Sequence, residues 1–106
     1  MIVKVFRDNH WEGIDMTTFH HVVDNDVKGK LEIHFKNEKR PYNTFEPKIL
    51  YYNSLLNYKT IVMIDGVRYK LGLSSERKKI VRLLREESER RVIERYNQEV
   101  NKTLNF

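Results

Sequence analysis

The sequence contains no cysteine and no alanine, and it has only two prolines and four glycines. Without cysteine the chain forms no disulfide and offers no thiolate to a metal, which fits a reducing compartment. No apolar run approaches the roughly 20 residues that a membrane-spanning helix requires. The first apolar stretch, residues 2–7, is too short and too interrupted for a signal peptide. We therefore expect a cytoplasmic location and no membrane association.

Motifs that carry chemistry are also missing. We find no HExxH, no phosphate-binding glycine loop, no RNP motif, no helix-turn-helix and no zinc finger. If residues 16–23 and 30–36 pair as a hairpin, one register places His20 opposite His34, close enough to share a metal, and a shift of one residue separates them. A metal-dependent hydrolase at His20 and His34 is therefore a second alternative. The principal expectation is a protein that is not an enzyme, with no catalytic residue, no metal and no cofactor.

What the sequence does contain is typical of one globular domain. It has 106 residues, of which 40% are hydrophobic and 33% are charged. Residues 1–73 are rich in β-forming residues, and residues 74–106 have a helical pattern. The strongest local signal is Asp65-Gly66 between two β-rich runs in residues 59–71, which predicts a two-residue hairpin with Ile64 opposite Val67 and Val62 opposite Tyr69.

The predicted fold is α+β, with a mostly antiparallel sheet or partly open barrel of five or six strands, followed by one long, straight or bent C-terminal helix. Alternation predicts a strand over residues 30–36, and composition favours strands over 2–7, 16–23 and 49–52. A short helix over 16–23 is the alternative, because Asp15 is a suitable cap. The predicted turns and loops are 10–13, 24–26, 28–29, 37–47 and 53–54.

The C-terminal helix is predicted to begin at Ser74 or Ser75, and no glycine or proline follows. Some 30 residues would form a rod of roughly 45 Å. Its apolar residues form two stripes that differ by roughly 170° around the helix axis. The first stripe contains Ile80, Val81, Leu83 and Leu84, and the second contains Val92, Ile93, Tyr96, Val100 and Leu104.

A straight helix cannot bury both stripes in one core. Residues 85–91 between them contain no apolar side chain, and the i,i+4 pairs Glu86–Arg90 and Glu87–Arg91 favour a helix there in water. One interpretation is a bend near Ser88 that folds the tail back onto the domain. The other is that the second stripe contacts another chain, as exposed apolar stripes often do. Val92, Ile93, Tyr96 and Val100 are then partner-binding residues, and a homodimer through the helix is one form of this contact.

Positive charge is concentrated at the start of the helix. The chain has a net charge of +5, and residues 76–85 contain five basic residues and one acid, which gives +4. Cations are unfavourable near a helix N-terminus, so this order suggests a function. The candidate phosphate-binding or acidic-surface residues are Arg77, Lys78, Lys79, Arg82 and Arg85.

These observations favour a non-enzymatic binding protein that uses its basic helix to engage a protein or a protein–nucleic-acid complex. The absence of alanine and the abundance of Asn, Lys, Tyr and Ile are common in small proteins of AT-rich bacteria and their phages, which suggests a modulator or inhibitor of a host nuclease machine. The alternative is direct nucleic-acid binding through cations and aromatic rings of sheet and helix. Its candidate sheet residues are Arg40, Tyr42, Tyr51, Tyr52, Lys59, Arg68, Tyr69 and Lys70.

Overall fold

The computed structural model describes residues 1–39, 44–52 and 59–104, with side chains as far as residue 101. Its elements in chain order are β1 (Val3–Arg7), β2 (His10–Ile14), β3 (Phe19–Asn25), β4 (Lys30–Lys36), β5 (Phe45–Tyr51), β6 (Ile61–Ile64), β7 (Val67–Lys70) and α1 (Ser74–Leu104). The predicted α+β class is confirmed. In these described ranges, seven strands form two open antiparallel sheets, where the sequence suggested one sheet or partly open barrel of five or six strands.

The first sheet has the strand order β2-β1-β6-β7. The Asp65-Gly66 hairpin is confirmed, with Ile64 opposite Val67 and Val62 opposite Tyr69. Both turn residues have positive φ, 49° at Asp65 and 86° at Gly66, as a type I′ turn requires. The β6 strand lies inside the sheet because β1 pairs with its other edge.

The prediction of a turn over residues 10–13 is wrong, because this segment is strand β2. The turn lies at Asp8-Asn9, where both residues have positive φ, 53° and 62°. Asp and Asn tolerate this conformation better than other residues that have a Cβ. Trp11 and Ile14 gave only a weak strand pattern, and pairing with β1 decides the conformation.

The second sheet has the order β3-β4-β5, with the predicted strand over 30–36 at its centre. Residues 16–23 contain a strand and no helix, but β3 begins at Phe19 and continues through Asp24 and Asn25, which were predicted as turn. Residues 45–47 were predicted as loop and belong to β5, where Pro47 is tolerated because β5 is an edge strand. The predicted turn at 53–54 lies outside the described residues.

One core joins both sheets and the first stripe of α1. Its fully buried members include Val5 and Val62 from the first sheet, Leu31 and Ile33 from the second, and Ile80 and Leu84 from the helix. The helix packs against β3 and β7, so it closes the space between the sheets along its first four to five turns. This packing fixes the direction in which the remainder of the helix leaves the domain.

Candidate functional site

The helix leaves the domain at a polar anchor, which we call the helix root and define as Glu87, Ser88 and Arg91. The Ser88 hydroxyl donates a hydrogen bond to the backbone carbonyl of His20 at 2.5 Å. The Arg91 guanidinium donates to the carbonyls of Met16 at 2.6 Å and Phe19 at 3.4 Å. Met16, three residues before β3, and the first two residues of β3 therefore bind the last part of α1 that contacts the domain.

Glu87 is the buried acid of the root, with 8% of its surface exposed. Its carboxylate accepts hydrogen bonds from Arg90 at 2.6 Å and from Arg91 at 2.9 Å. The hydrogen bond from Arg90, with the help of Arg91 and against the effect of burial, lowers the pKa of Glu87 to about 2. A buried carboxylate with two guanidinium partners is satisfied, so the root is a stable polar contact.

Beyond the root, the first three residues of the second apolar stripe are exposed, and the side chain of its last residue, Leu104, lies outside the described part of the chain. Val92 and Ile93 are each 59% exposed and Tyr96 is 66% exposed, while Val100 is partly covered. Counted at about 100° per residue, this stripe faces away from Arg91 and Leu84, which contact the domain. The predicted orientation of the second stripe is confirmed, and its role as a partner-binding surface remains a prediction.

The fold-back interpretation is wrong, because α1 continues from Ser74 to Leu104 without a break at Ser88. Within residues 85–91, Ser88 and Arg91 are bound by the domain, and ion pairs along the helix support the same segment. The predicted pair Glu87–Arg91 forms, whereas Glu86 pairs with Arg82 at 4.0 Å and Arg90 also pairs with Glu94. Residues 92–104 extend about 20 Å beyond the root.

The basic cluster divides into two groups. Lys78, Lys79, Arg82 and Arg85 are exposed, as predicted for Lys78, Arg82 and Arg85. Three of these cations line a shallow groove of about 380 Å³, together with three acids. The groove is lined by Asp24, Lys78, Val81, Arg82, Arg85, Glu86 and Glu89. Neighbouring carboxylates thus offset the local charge of +4 that the sequence suggested, and phosphate binding here remains a prediction.

Arg77 belongs to the interior. Its side chain is 13% exposed, and its guanidinium lies 3.9 Å from Asp24 and 3.7 Å from Asp26. It also stacks over the Tyr52 ring at 4.1 Å. Burial, together with the carboxylates of Asp24 and Asp26, raises the pKa of the Tyr52 hydroxyl. Arg77 therefore joins α1 to the β3–β4 turn and to the end of β5.

Three histidines lie together beside the root. A bulge at His20 shifts the register, so His21 and not His20 pairs with His34. The rings of His21 and His34 stack at 4.5 Å, and the Nδ1 atoms of His20 and His21 are 2.9 Å apart. Burial, with the positive charge of Arg95 near His20 and of His34 near His21, lowers the pKa of both imidazoles. In residues 1–39, 44–52 and 59–101, no group of three or more His, Asp or Glu side chains is arranged to hold a metal.

The aromatic residues suggested for nucleic-acid stacking are dispersed. Tyr52 is buried and Tyr69 packs against the core. Tyr51 is exposed, with the Lys30 ammonium 5.3 Å from its ring. Arg40 and Tyr42 lie outside the described residues. The predicted set therefore does not form one surface within the described part of the chain.

The helix root was missed by sequence reasoning, because an all-polar segment was interpreted as solvated. The only available signal was the spacing of Glu87 and Arg91, which also fits an exposed ion pair. No family model, curated protein or solved structure matches the chain. No helix in the described residues is both long and apolar enough to cross a membrane.

Proposed function

We propose that this is a non-enzymatic binding protein that engages another protein, alone or in a protein–nucleic-acid complex, through the distal part of α1. The observation that carries the proposal is the exposed stripe of Val92, Ile93 and Tyr96 on a helix that is anchored just before it. Such a helix presents side chains at i, i+1 and i+4 in one fixed direction, and helix-in-groove recognition uses anchors of this kind.

The chemistry of the stripe favours a protein as the partner. Its side chains are aliphatic and aromatic, and the nearby Arg90 is already paired with Glu87 and Glu94. Phosphate binding depends on available cations, whereas a hydrophobic groove binds aliphatic and aromatic anchors. Because the root fixes the helix before binding, little conformational entropy is lost when the partner docks.

A second copy of the chain is the simplest partner of this type. The same stripe on two copies could pack in a two-fold arrangement, which is the commonest symmetry of homo-oligomers. The stripe spans only two to three turns, so such a dimer would be small for a permanent interface. A heterologous partner with a groove covers the stripe more completely, and for this reason we propose a different protein as the main partner. Inhibition of a nuclease machine is one role that such docking would permit.

The test is a pull-down that compares the partner proteins captured by three forms of the full chain, which are the wild type, a stripe variant and an Asn variant. Ile93→Asp with Tyr96→Asp places two charges in the stripe, and Asn97→Asp with Asn101→Asp adds the same charge at exposed positions beside it. We expect wild type and the Asn variant to retain one defined partner that the stripe variant loses, with unchanged circular dichroism in all three. Equal recovery by the stripe variant would overturn the proposal, and sedimentation of purified protein separates self-association from capture of another chain.

A further inference from the structure

The outer face of the first sheet is a second exposed surface. Buried Val3, Val5, Val62 and Ile64 define the inner face, so the alternate residues point outward. The register aligns the outer residues in two rows across the sheet. One row is Trp11, Phe6, Ile61 and Lys70, and the other is Gly13, Lys4, Met63 and Arg68. We call these eight positions the outer sheet face.

Aromatic rings lie at one side of the outer sheet face. Trp11 is 38% exposed and its ring is tilted by 50° to that of Phe6, with 5.2 Å between the centroids. The Arg68 guanidinium lies over the Trp11 ring, 5.3 Å from its centroid. Gly13 leaves an opening beside them, because a Cβ built there meets no atom within 4 Å. The tryptophan is partly open to solvent, and a base that stacks on it would replace the Arg68 guanidinium, which then becomes available to a phosphate.

Charge on the outer sheet face has one sign. Lys4, Arg68 and Lys70 are exposed, and none of the eight positions is acidic. Asp8 and Asp65 lie in the hairpin turns at the strand ends, and Glu76 lies at the β7 edge, where it accepts the backbone N–H of Lys70. The groove on α1 differs, because its three cations are mixed with three carboxylates.

We propose that the outer sheet face binds single-stranded nucleic acid. Two or three unpaired bases would stack on Trp11 and its neighbours, while Lys4, Arg68 and Lys70 contact phosphates. Four-stranded sheets with exposed aromatic side chains bind unpaired bases in this manner, and stacking tolerates any base. The four strands span about 14 Å at the usual strand spacing, which suits a segment of this length.

Single strands fit the geometry better than a duplex or a protein. Base faces are available for stacking only when the bases are unpaired, and a broad sheet face does not enter a groove of B-form DNA. Three cations without a carboxylate complement a polyanion, and two of the three are lysines, of which protein interfaces are depleted. The inference concerns a surface separate from the α1 stripe and adds a nucleic-acid contact to the proposed protein contact.

The experiment measures fluorescence anisotropy of labelled oligo(dT) and oligo(U) of about twelve nucleotides, and of a duplex of equal length, with the full chain. We expect both single strands to bind more tightly than the duplex. Binding should weaken with salt, with a log–log slope of about −2 for three phosphate contacts. Trp11→Ala should weaken binding about tenfold, and Lys4→Gln should reduce the slope by about 0.7.

Controls locate the contact. Trp11→Phe keeps an aromatic ring and should retain most of the affinity, and Lys28→Gln removes one exposed charge on the β3–β4 turn and should leave affinity unchanged. If Trp11→Ala unfolds, Lys4→Gln at its exposed position provides the test. Equal affinity for duplex, no binding at low salt, or a loss caused by Lys28→Gln and not by Lys4→Gln would overturn the inference. Ile93→Asp with Tyr96→Asp should bind oligonucleotide normally, so failure of either proposal is recognisable separately.

Discussion

Residues 74–91 of α1 pack their apolar side chains against the sheets, whereas residues 92–104 leave apolar side chains exposed. In the first part, Ile80 and Leu84 are fully buried between the sheets. In the second part, Ile93 and Tyr96 are similarly apolar and more than half exposed. The backbone is helical in both parts, so the local sequence determines where the helix forms. The direction in which each apolar stripe points determines whether its side chains are buried. Helix propagation from an anchored segment avoids the unfavourable nucleation step, which explains how the second part remains helical.

The comparison predicts very different costs for similar substitutions. Leu84→Ala removes a fully buried side chain and should lower the free energy of unfolding by about 3 kcal/mol. Ile93→Ala should change it by less than about 0.5 kcal/mol, because the side chain is already exposed. Urea denaturation of both variants measures the difference. A loss of several kcal/mol in Ile93→Ala would mean that the stripe is buried in solution, either by the domain or by a second copy.

The basic cluster also contains one largely buried and one exposed arginine. The expected difference in the free energy of unfolding between their variants is smaller than for the apolar residues. Arg77→Gln should cost about 2 kcal/mol, since it removes the charge that neutralises Asp24 and the group that stacks on Tyr52. Arg82→Gln should cost no more than about 0.5 kcal/mol, because its pair with Glu86 is exposed.

Thermal or urea unfolding at low salt and at high salt measures both arginine variants. The cost of Arg77→Gln should persist in high salt, because Asp24 and Tyr52 are shielded from solvent and only Asp26 is exposed. Equal costs for Arg77→Gln and Arg82→Gln would show that Arg77 is not a structural residue. It would then remain a candidate for binding a phosphate or an acidic surface.

Sequence patterns predicted the elements that depend on local chemistry. The Asp65-Gly66 hairpin, the alternating strand at 30–36 and the helix at 74–104 each have such a signal, and each is present. The strands at 10–14 and 45–51 were missed at least in part, because pairing with a distant strand and not local preference determines them.

The same limit applies to the surfaces. The direction of the second stripe followed from helix geometry alone. Two acids of the α1 groove, Glu86 and Glu89, are close to its cations in sequence, but the third, Asp24, is more than fifty residues from Lys78. The outer sheet face depends on the order β2-β1-β6-β7, which brings Trp11 and Arg68 together. Neither the approach of Asp24 to the helix nor that of Arg68 to Trp11 has a signal in the linear sequence.

The helix root lies between the two parts of α1. The pH dependence of the stability that Glu87 contributes is the smallest effect that the comparison of these two parts predicts. Glu87→Gln should lower the free energy of unfolding at pH 7 by about 1 to 2 kcal/mol, since it weakens the hydrogen bonds from Arg90 and Arg91. The pKa of Glu87 is about 2 in the folded protein, below its usual value of 4.5. The unfolded chain therefore takes up the proton first as the pH falls, so the stabilisation is complete above about pH 5 and declines toward pH 2.

Urea denaturation at several pH values should show the wild type and Glu87→Gln becoming equally stable near pH 2. Glu86→Gln is the matched control, because Glu86 is next to Glu87 and its carboxylate is exposed. This carboxylate should contribute less than about 0.5 kcal/mol to the free energy of unfolding at any pH. If Glu87→Gln matched wild type at pH 7, the carboxylate would not hold the root. Arg91 and Ser88 would then anchor the helix through the Met16, Phe19 and His20 carbonyls. In that case the direction of the second apolar stripe would depend on these two side chains, and Arg91→Gln with Ser88→Ala should detach this part of the helix from the domain while Leu84 remains buried.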